Sequence, residues 1–326
     1  MNPLSNLDQE HDAAPAECRP VTPAQIPAAL RLILSNTAQD AAESQITDFI
    51  RYSEQRGIHL ADLQVIQANG RLIWAILPMV NPGRTVLLFA APVRTARSHP
   101  AAVDSAIDSI CQRLAGQNVQ LAQVLLDPTD HATIDTYANR GFSRMAELIY
   151  LHRALRSTGS SIAAPPPPAA EFELQSYSPA THDAFAAAIV ASYQNSLDCP
   201  ALNGVRDIAD VITGHKAAGE FDPEDWFLRS RRGQPAAVLL LNRTPQIEHM
   251  ELVYLGLAPA VRGLGIGKYL MELALHRVRQ RNFAGLTLAV DSRNAPALRL
   301  YHRHGMQRLM SKVALMRDLI TNRPLA

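Results

Sequence analysis

Between Pro259 and Lys268 the chain reads Pro-Ala-Val-Arg-Gly-Leu-Gly-Ile-Gly-Lys, which sets Arg262, Gly265 and Gly267 in an Arg-x-x-Gly-x-Gly spacing. That composition suits a pyrophosphate. Glycines remove the Cβ atoms that hold a backbone away from an anion. The first N–H groups of a following helix lack intrahelical acceptors, and the positive end of its dipole faces the same way. Arg262 adds a cation, and Gly263, Leu264, Ile266 and Lys268 complete the turn. Two other readings stand beside this one: a tight strand-to-helix connection with ordinary glycine chemistry, and a dinucleotide fold in which Asp291 would hold a ribose. Spacing speaks against the dinucleotide. Pro259-Ala-Val-Arg262 separates the strand from the glycines, Lys268 stands where a third glycine is needed, and the turn comes late in its half of the chain.

Such a turn needs a strand before it and a helix after it. His249–Leu257 supplies the strand, and the helix from Ile266 carries Leu270, Leu273, Ala274 and Val278 on one stripe. A short apolar strand, Leu286–Val290, follows the Gly285 break, and Asn294 is placed to cap a last helix over Ala295–His304. Upstream the pattern predicts a strand over Phe172–Tyr177, helices over Pro179–Tyr193 and Val205–Ala217, and strands near Trp226–Ser230 and Ala236–Asn242. The first half repeats this order: strand Cys18–Val21, helices Ala24–Asn36 and Ala41–Arg56, strands Gln64–Ala68, Arg71–Met79 and Thr85–Ala91, helix Ala101–Ala115, strand Val119–Leu126. A shift of 164 residues (291 − 127) lays Asp127, Tyr137, Gly141 and Phe142 on Asp291, Tyr301, Gly305 and Met306. This is the signature of a duplicated domain. The same shift puts Ser98, Ala101 and Val103 where Arg262, Gly265 and Gly267 stand, so the first copy has lost the anion turn, although Arg94 and Arg97 leave a residual anion site open. The expected organisation is a disordered lead-in over 1–16, a degenerate domain over 17–156, a Ser/Pro-rich linker over 157–170 and an intact domain over 171–326.

Together these residues resemble the GNAT superfamily of acyl-CoA N-acyltransferases. Arg262-x-x-Gly265-x-Gly267 satisfies that family's Gln/Arg-x-x-Gly-x-Gly/Ala signature, and Asn294-x-x-Ala297-x-x-Leu300-Tyr301-x-x-x-Gly305 matches its second conserved stretch. The likeness covers the second half in element order and the first half more faintly, in a tandem arrangement similar to that of mycothiol synthases. It implies an α/β fold, in which a central, mostly antiparallel mixed sheet is flanked by helices. It also implies acetyl-CoA or another acyl-CoA as co-substrate, and direct transfer to an amine of a small molecule or peptide.

The resemblance further implies roles for single residues. Leu255, Gly256 and Leu257 would offer backbone groups to the pantetheine arm, the turn from Arg262 to Lys268 would hold the pyrophosphate, and Asn294 and Tyr301 would lie near the thioester. Glu251 stands on the strand where family members carry a carboxylate base, and Glu248 is placed to take or share that task. Tyr301 matches the family's general acid; a half-buried core tyrosine is the other reading, since Tyr137 holds the equivalent place in the first copy. The family's substrate-selecting loop corresponds to Asn195–Asn203, where Asp198 either holds a cationic amine, with Asn203 nearby, or merely caps a polar loop. Cys199 reads as a packing residue.

Bulk properties bound these readings. A chain of 326 residues with 47% hydrophobic and 19% charged residues reads as two globular domains. A net charge of +1 gives no basic face for nucleic acid or an acidic membrane. Cys18, Cys111 and Cys199 are far apart and fit neither a disulfide framework nor a zinc site, and His131, His302 and His304 lack metal-ligand companions, so no metal is expected. Without an eighteen-residue apolar run or a signal peptide at Met1–Pro20, a soluble cytoplasmic protein is expected, with its oligomeric state open. A catalytically silent acyl-CoA-binding or sensing protein and a dinucleotide oxidoreductase remain the competing functions.

Overall fold

The computed structural model describes residues 16–35, 41–155, 164–165, 171–244, 247–321 and 325; the expected lead-in and the Ser/Pro-rich linker lie almost wholly outside them. Two compact units emerge. One draws on residues up to Met79, Leu88–Gly116 and Asp130–Arg140, the other on Val80–Leu87, Gln117–Thr129 and residues from Gly141 onward.

The first unit holds β1 (Cys18–Pro20), α1 (Ile26–Leu34), α2 (Glu43–Arg56), β2 (Gln64–Ala68), most of β3 (Arg71–Asn81), the end of β4 (Thr85–Ala90), α3 (Pro100–Gly116) and α4 (His131–Asn139). Strands β1, β2 and β3 pair antiparallel in that order. The core gathers Leu30, Ile46, Val65, Ile66, Trp74 and Ile107, all at most 2% exposed. Trp74 keeps its polar end satisfied there, its Nε1–H donating to the Ala91 carbonyl at 2.8 Å. Here α3 starts at Pro100, and Val103 is buried where the second copy has Gly267.

The second unit holds β5 (Leu121–Leu126), β6 (Ser143–Ala154), β7 (Phe172–Ser176), α5 (His182–Ser192), α6 (Ile208–Ala217), β8 (Glu220–Arg231), β9 (Gln234–Thr244), β10 (His249–Leu257), α7 (Ile266–Gln280), β11 (Gly285–Asp291), α8 (Ala295–Arg303) and β12 (Gln307–Asp318). Its sheet runs β5–β12–β6–β11–β10–β9–β8–β7. Neighbours are antiparallel apart from β10 with β11, and the start of β4 adds a parallel pair to β5.

Strands β6 and β12 were not among the predicted elements, and they are the ones that exchange. The last strand of the first half lies against β11, and the last strand of the second half lies against β5. The exchange is symmetric. Val290 pairs with Ile149 and Leu126 pairs with Val313, and both members of the second pair follow from the first by the 164-residue shift (290 − 126, 313 − 149). The shift also relates α4 to α8 (295 − 131) and β6 to β12 (307 − 143). Because β5 and β6 pair with strands of the other half, the compact units do not follow the halves of the chain.

One face of the second unit's sheet packs under α7, where Met250, Leu252, Leu286 and Leu288 meet Leu270 and Met271. On the other face Phe185 and Ile189 of α5 cover Trp226, Leu228, Val238 and Leu240. Alternation continues that second face across β10, β11 and β6, where the register places Glu251, Thr287 and His152 side by side, all half-buried.

Candidate acyl-CoA site

Strands β10 and β11 part company after one short run of pairing. Their register is limited to His249–Glu251 against Gly285–Thr287. A bulge at Leu252/Tyr254 then turns β10 away, and it stays with β9 as far as Leu257 opposite Ala237. On its other side β11 is held by β6 along Gly285–Asp291. A cavity of about 530 Å³ opens in the gap, lined by Leu252–Leu257 on one side and by Ala289 and Val290 on the other. Backbone polar groups of β10 that face the gap have no strand to pair with, so an extended amide-bearing ligand would complete them. Gly256 has a packing reason as well: a Cβ there would stand 2.6 Å from Ser192 Oγ, so glycine lets β10 approach α5.

The glycine turn closes one end of the cavity. Gly263 and Gly265 have φ of +78° and +79° with nothing within 4 Å of an added Cβ, so they are needed for backbone shape and leave open space. Gly267 differs, since a Cβ there would touch Leu300 Cδ2 at 3.4 Å. Gly265 is the N-cap of α7 and gives no side-chain cap. The first helical bond is Tyr269 N–H to the Gly265 carbonyl at 3.0 Å, so the N–H groups before it are left for a ligand or solvent. Arg262 lines the cavity and also braces it. Its guanidinium donates to the carbonyls of Leu257, Asn195 and Ser192 at 3.1, 3.1 and 2.9 Å. It ties the turn to β10 and to the negative end of α5, and supplies its charge from behind the backbone. Lys268 is exposed and pairs with Glu272 at 3.7 Å.

The opposite wall comes from α8 and the loop after α5. Asn294 caps α8, its Oδ1 accepting from Ala297 N–H at 3.3 Å, and the residue also lines the cavity. Tyr301 lines it too, at 6% exposure. Burial, with Asp198 and Tyr254 nearby, pushes its phenol well above the ordinary value, so it keeps its proton through neutral pH. Asp198 lines the same space. Its Oδ1 accepts from Asp291 N–H at 3.3 Å, while Asp291 Oδ2 accepts from Cys199 N–H at 3.2 Å, and these reciprocal bonds pin the loop to the end of β11. The two carboxyls then diverge. Burial raises the pKa of Asp198, and Asp291 raises it further against one backbone hydrogen bond. For Asp291 burial also works upward but is outweighed by bonds from Arg293 and the backbone, which hold it below its ordinary value. Cys199 sits in this corner with its thiol pushed up to about 12, by burial and then by both carboxylates, so it is no nucleophile.

Other predicted site residues fall elsewhere. Neither Glu251 nor Glu248 is among the cavity's lining residues. Glu251 stands on the sheet face beside Thr287 and Asn242. Glu248 precedes β10 with φ of 53°, its carbonyl accepting from Ala284 N–H at 2.7 Å. Asn203 braces its loop, Nδ2 donating to the Tyr193 carbonyl at 3.1 Å. Several lining residues were not foreseen. Tyr254, just past the bulge, has its hydroxyl 2.7 Å from Ser192 Oγ and its ring stacked on His215. Arg299 and Arg303 also line the cavity as exposed cations one turn apart on α8. Their i, i+4 spacing was the signal available in the sequence.

Comparison with known proteins agrees with this geometry. Residues 196–306 match the model of the acetyltransferase (GNAT) family. Among curated proteins, the mycothiol acetyltransferase of Thermomonospora curvata is 36% identical over 97 residues, covering 30% of this chain and 32% of that protein. That of Gordonia bronchialis is 32% identical over 108 residues, covering 32% and 35%. The match thus spans about a third of the length of these relatives. Among solved structures, a GCN5-related N-acetyltransferase from Sphaerobacter thermophilus superposes with a TM-score of 0.64 at 17% identity, covering 95% of this chain and 98% of that one. A tandem GNAT protein from the clavulanic acid biosynthesis pathway gives 0.52 at 14% identity, covering 94% and 99%. At such identities the structures speak for the fold, which the chain shares with them along nearly its whole length, while the family model speaks for residues 196–306, which match the acetyltransferase (GNAT) family.

Proposed function

We propose that this protein transfers an acyl group, acetyl in the simplest case, from coenzyme A directly to the primary amine of a small molecule or peptide. The observation that carries the reading is a single cavity that joins an uncapped helix N-terminus, an unpaired strand edge and a buried phenol. In this reading the N–H groups from Gly263 to Lys268 receive the pyrophosphate, with Arg299 and Arg303 as cations at the mouth, and the backbone of Leu255–Leu257 pairs with the pantetheine arm. The amine lone pair attacks the thioester carbonyl, the carbon–sulfur bond breaks, and the departing thiolate takes the Tyr301 phenolic proton, which solvent returns. Asp198, inside the cavity and made more basic by burial, removes the proton of the incoming ammonium; Glu251 contributes from the adjoining face. The first half, without the glycine turn, acts as scaffold.

The test is thiol release from acetyl-CoA in the presence of a panel of small amines and peptide amines. Amine-dependent release that falls in Tyr301→Phe while acetyl-CoA binding persists supports the enzyme. Binding with no release above hydrolysis for any acceptor supports a silent acyl-CoA-binding protein instead, and NAD binding without a response to CoA would overturn both.

A further inference from the structure

Acyl transfer leaves unused a pair of imidazoles on the second unit's sheet. His249 opens β10 and His152 lies near the end of β6, with β11 between them. Two strand spacings amount to about 9–10 Å, too far for ordinary cross-strand neighbours to touch. These rings meet because the residue opposite His249 on β11 is Gly285. A Cβ at Gly285 would stand 2.7 Å from His249 Cδ2 and 2.8 Å from its Nε2, so the ring lies across the glycine. The two Nε2 atoms approach to 2.9 Å, with ring centroids 4.9 Å apart and planes tilted by 57°.

The tautomers follow from the hydrogen bonds. His249 Nδ1 is bonded to the Ile247 carbonyl, so it carries the proton and Nε2 keeps its lone pair. His152 then donates Nε2–H to it. A histidine whose Nδ1–H is anchored on a backbone carbonyl while Nε2 faces a second imidazole has the outer support typical of a metal ligand.

We propose that His152 and His249 chelate a divalent late transition ion, copper(II) or nickel(II), through their Nε2 atoms. Two metal–nitrogen bonds of about 2.0–2.1 Å at a right angle place the nitrogens about 2.9 Å apart, whereas tetrahedral ligation needs roughly 3.3 Å. The hydrogen bond already holds the two nitrogens 2.9 Å apart, the separation that a right-angle bite needs. On binding, the proton on His152 Nε2 moves through solvent to Nδ1 of the same ring, which frees the Nε2 lone pair with no net proton lost. Among the described residues no group of three or more His, Cys, Asp and Glu side chains is arranged for a metal, so the ion keeps open positions for water. The pair is half-buried, His249 stands two residues from Glu251 on the same face of β10, and the proposal does not depend on the acyltransferase reading.

The experiment is titration of the untagged full-length chain with copper(II) at neutral pH in a non-coordinating buffer, followed by electron paramagnetic resonance. One copper per chain is expected, with hyperfine structure from two nitrogens. His152→Asn and His249→Asn, each checked for unchanged circular dichroism, should each weaken binding tenfold or more, while His131→Asn leaves it unchanged. Equal affinity in the wild type and in either folded variant, or a bound copper without nitrogen ligands, overturns the proposal.

Discussion

Asp198 and Asp291 occupy one corner of the cavity and are driven in opposite directions, the first made more basic by burial, the second held ionised by Arg293 and backbone donors. Environments that push two carboxyls apart make Asp291 the fixed anion that orders the loop and leave Asp198, in the proposed function, as the group that exchanges protons. If Asp198 is the base, activity falls as pH drops through its pKa, because the protonated form accepts nothing, and this acid limb lies above the ordinary carboxylate range. Asp198→Asn should lower kcat by about 10²–10⁴-fold and abolish the limb, whereas Glu251→Gln should leave the limb in place; a pH profile of kcat/KM decides. A limb that survives in Asp198→Asn and vanishes in Glu251→Gln returns the role to Glu251. Tyr301 and Asn294 were legible because their spacing lies within one short helix. The Asp198–Asp291 bond was not, because it joins residues 93 apart that only the sheet brings together.

At the level of elements, the glycine turn is a conformational device before it is a binding site. Gly265 must adopt φ of +79° for α7 to start where it does, and no neighbour crowds it. Gly265→Ala should therefore cost about 1–2 kcal/mol in the left-handed region and weaken acyl-CoA binding, since the strain is relieved by moving the very N–H groups that the proposed function gives to the pyrophosphate. Calorimetric titration of acetyl-CoA checks this, and unchanged affinity would contradict the turn's assigned role. The strand before the turn and the helix after it were readable from apolar periodicity, as was the break at Gly285. Strands β6 and β12 escaped for a physical reason. Their sequences, Ser-Arg-Met-Ala-Glu-Leu-Ile-Tyr-Leu-His-Arg-Ala and Gln-Arg-Leu-Met-Ser-Lys-Val-Ala-Leu-Met-Arg-Asp, mix charge with apolar residues because one face is only partly covered. Two irregularities of register, at Arg308/Met310 and Ala314/Leu315, also break the alternation that would reveal a strand.

The whole molecule carries two consequences of how its halves are built. His215, half-buried with its ring stacked on Tyr254 and with the charge of Arg206 acting on it, has its pKa lowered to about 4, by burial first. Between its ordinary value of 6.5 and about 4 the unfolded chain binds a proton that the folded chain refuses, so stability is lost as pH falls through that window. The loss approaches roughly 3 kcal/mol. Melting temperatures measured against pH should show it, and His215→Gln should flatten the curve between those limits.

The second consequence follows from the exchanged strands and defines the folding unit. Residues from 171 onward contain the glycine turn, Asp198 and Tyr301, yet β11 of that segment is completed by β6 along Gly285–Asp291, and β12 lies between β5 and β6. Further bonds lock the join: Ser292 N–H to the Glu147 carbonyl at 2.8 Å, Leu155 N–H to the Ala284 carbonyl at 2.7 Å, and Arg293 to the Met145 carbonyl at 2.7 Å. Removing the first half strips β12 of both neighbours and leaves β11 as an open edge beside the cavity, a template for aggregation rather than a stable wall. A fragment of residues 171–326 should therefore be aggregated or lack a cooperative thermal transition, and should not bind acetyl-CoA, whereas the full chain melts cooperatively. The opposing outcome is specific: if the freed β12 folds back onto β11, the fragment is a soluble monomer with a sharp transition and measurable acetyl-CoA affinity. Sedimentation and calorimetry of the fragment separate the two, and the second result would make the first half dispensable for the site it now completes.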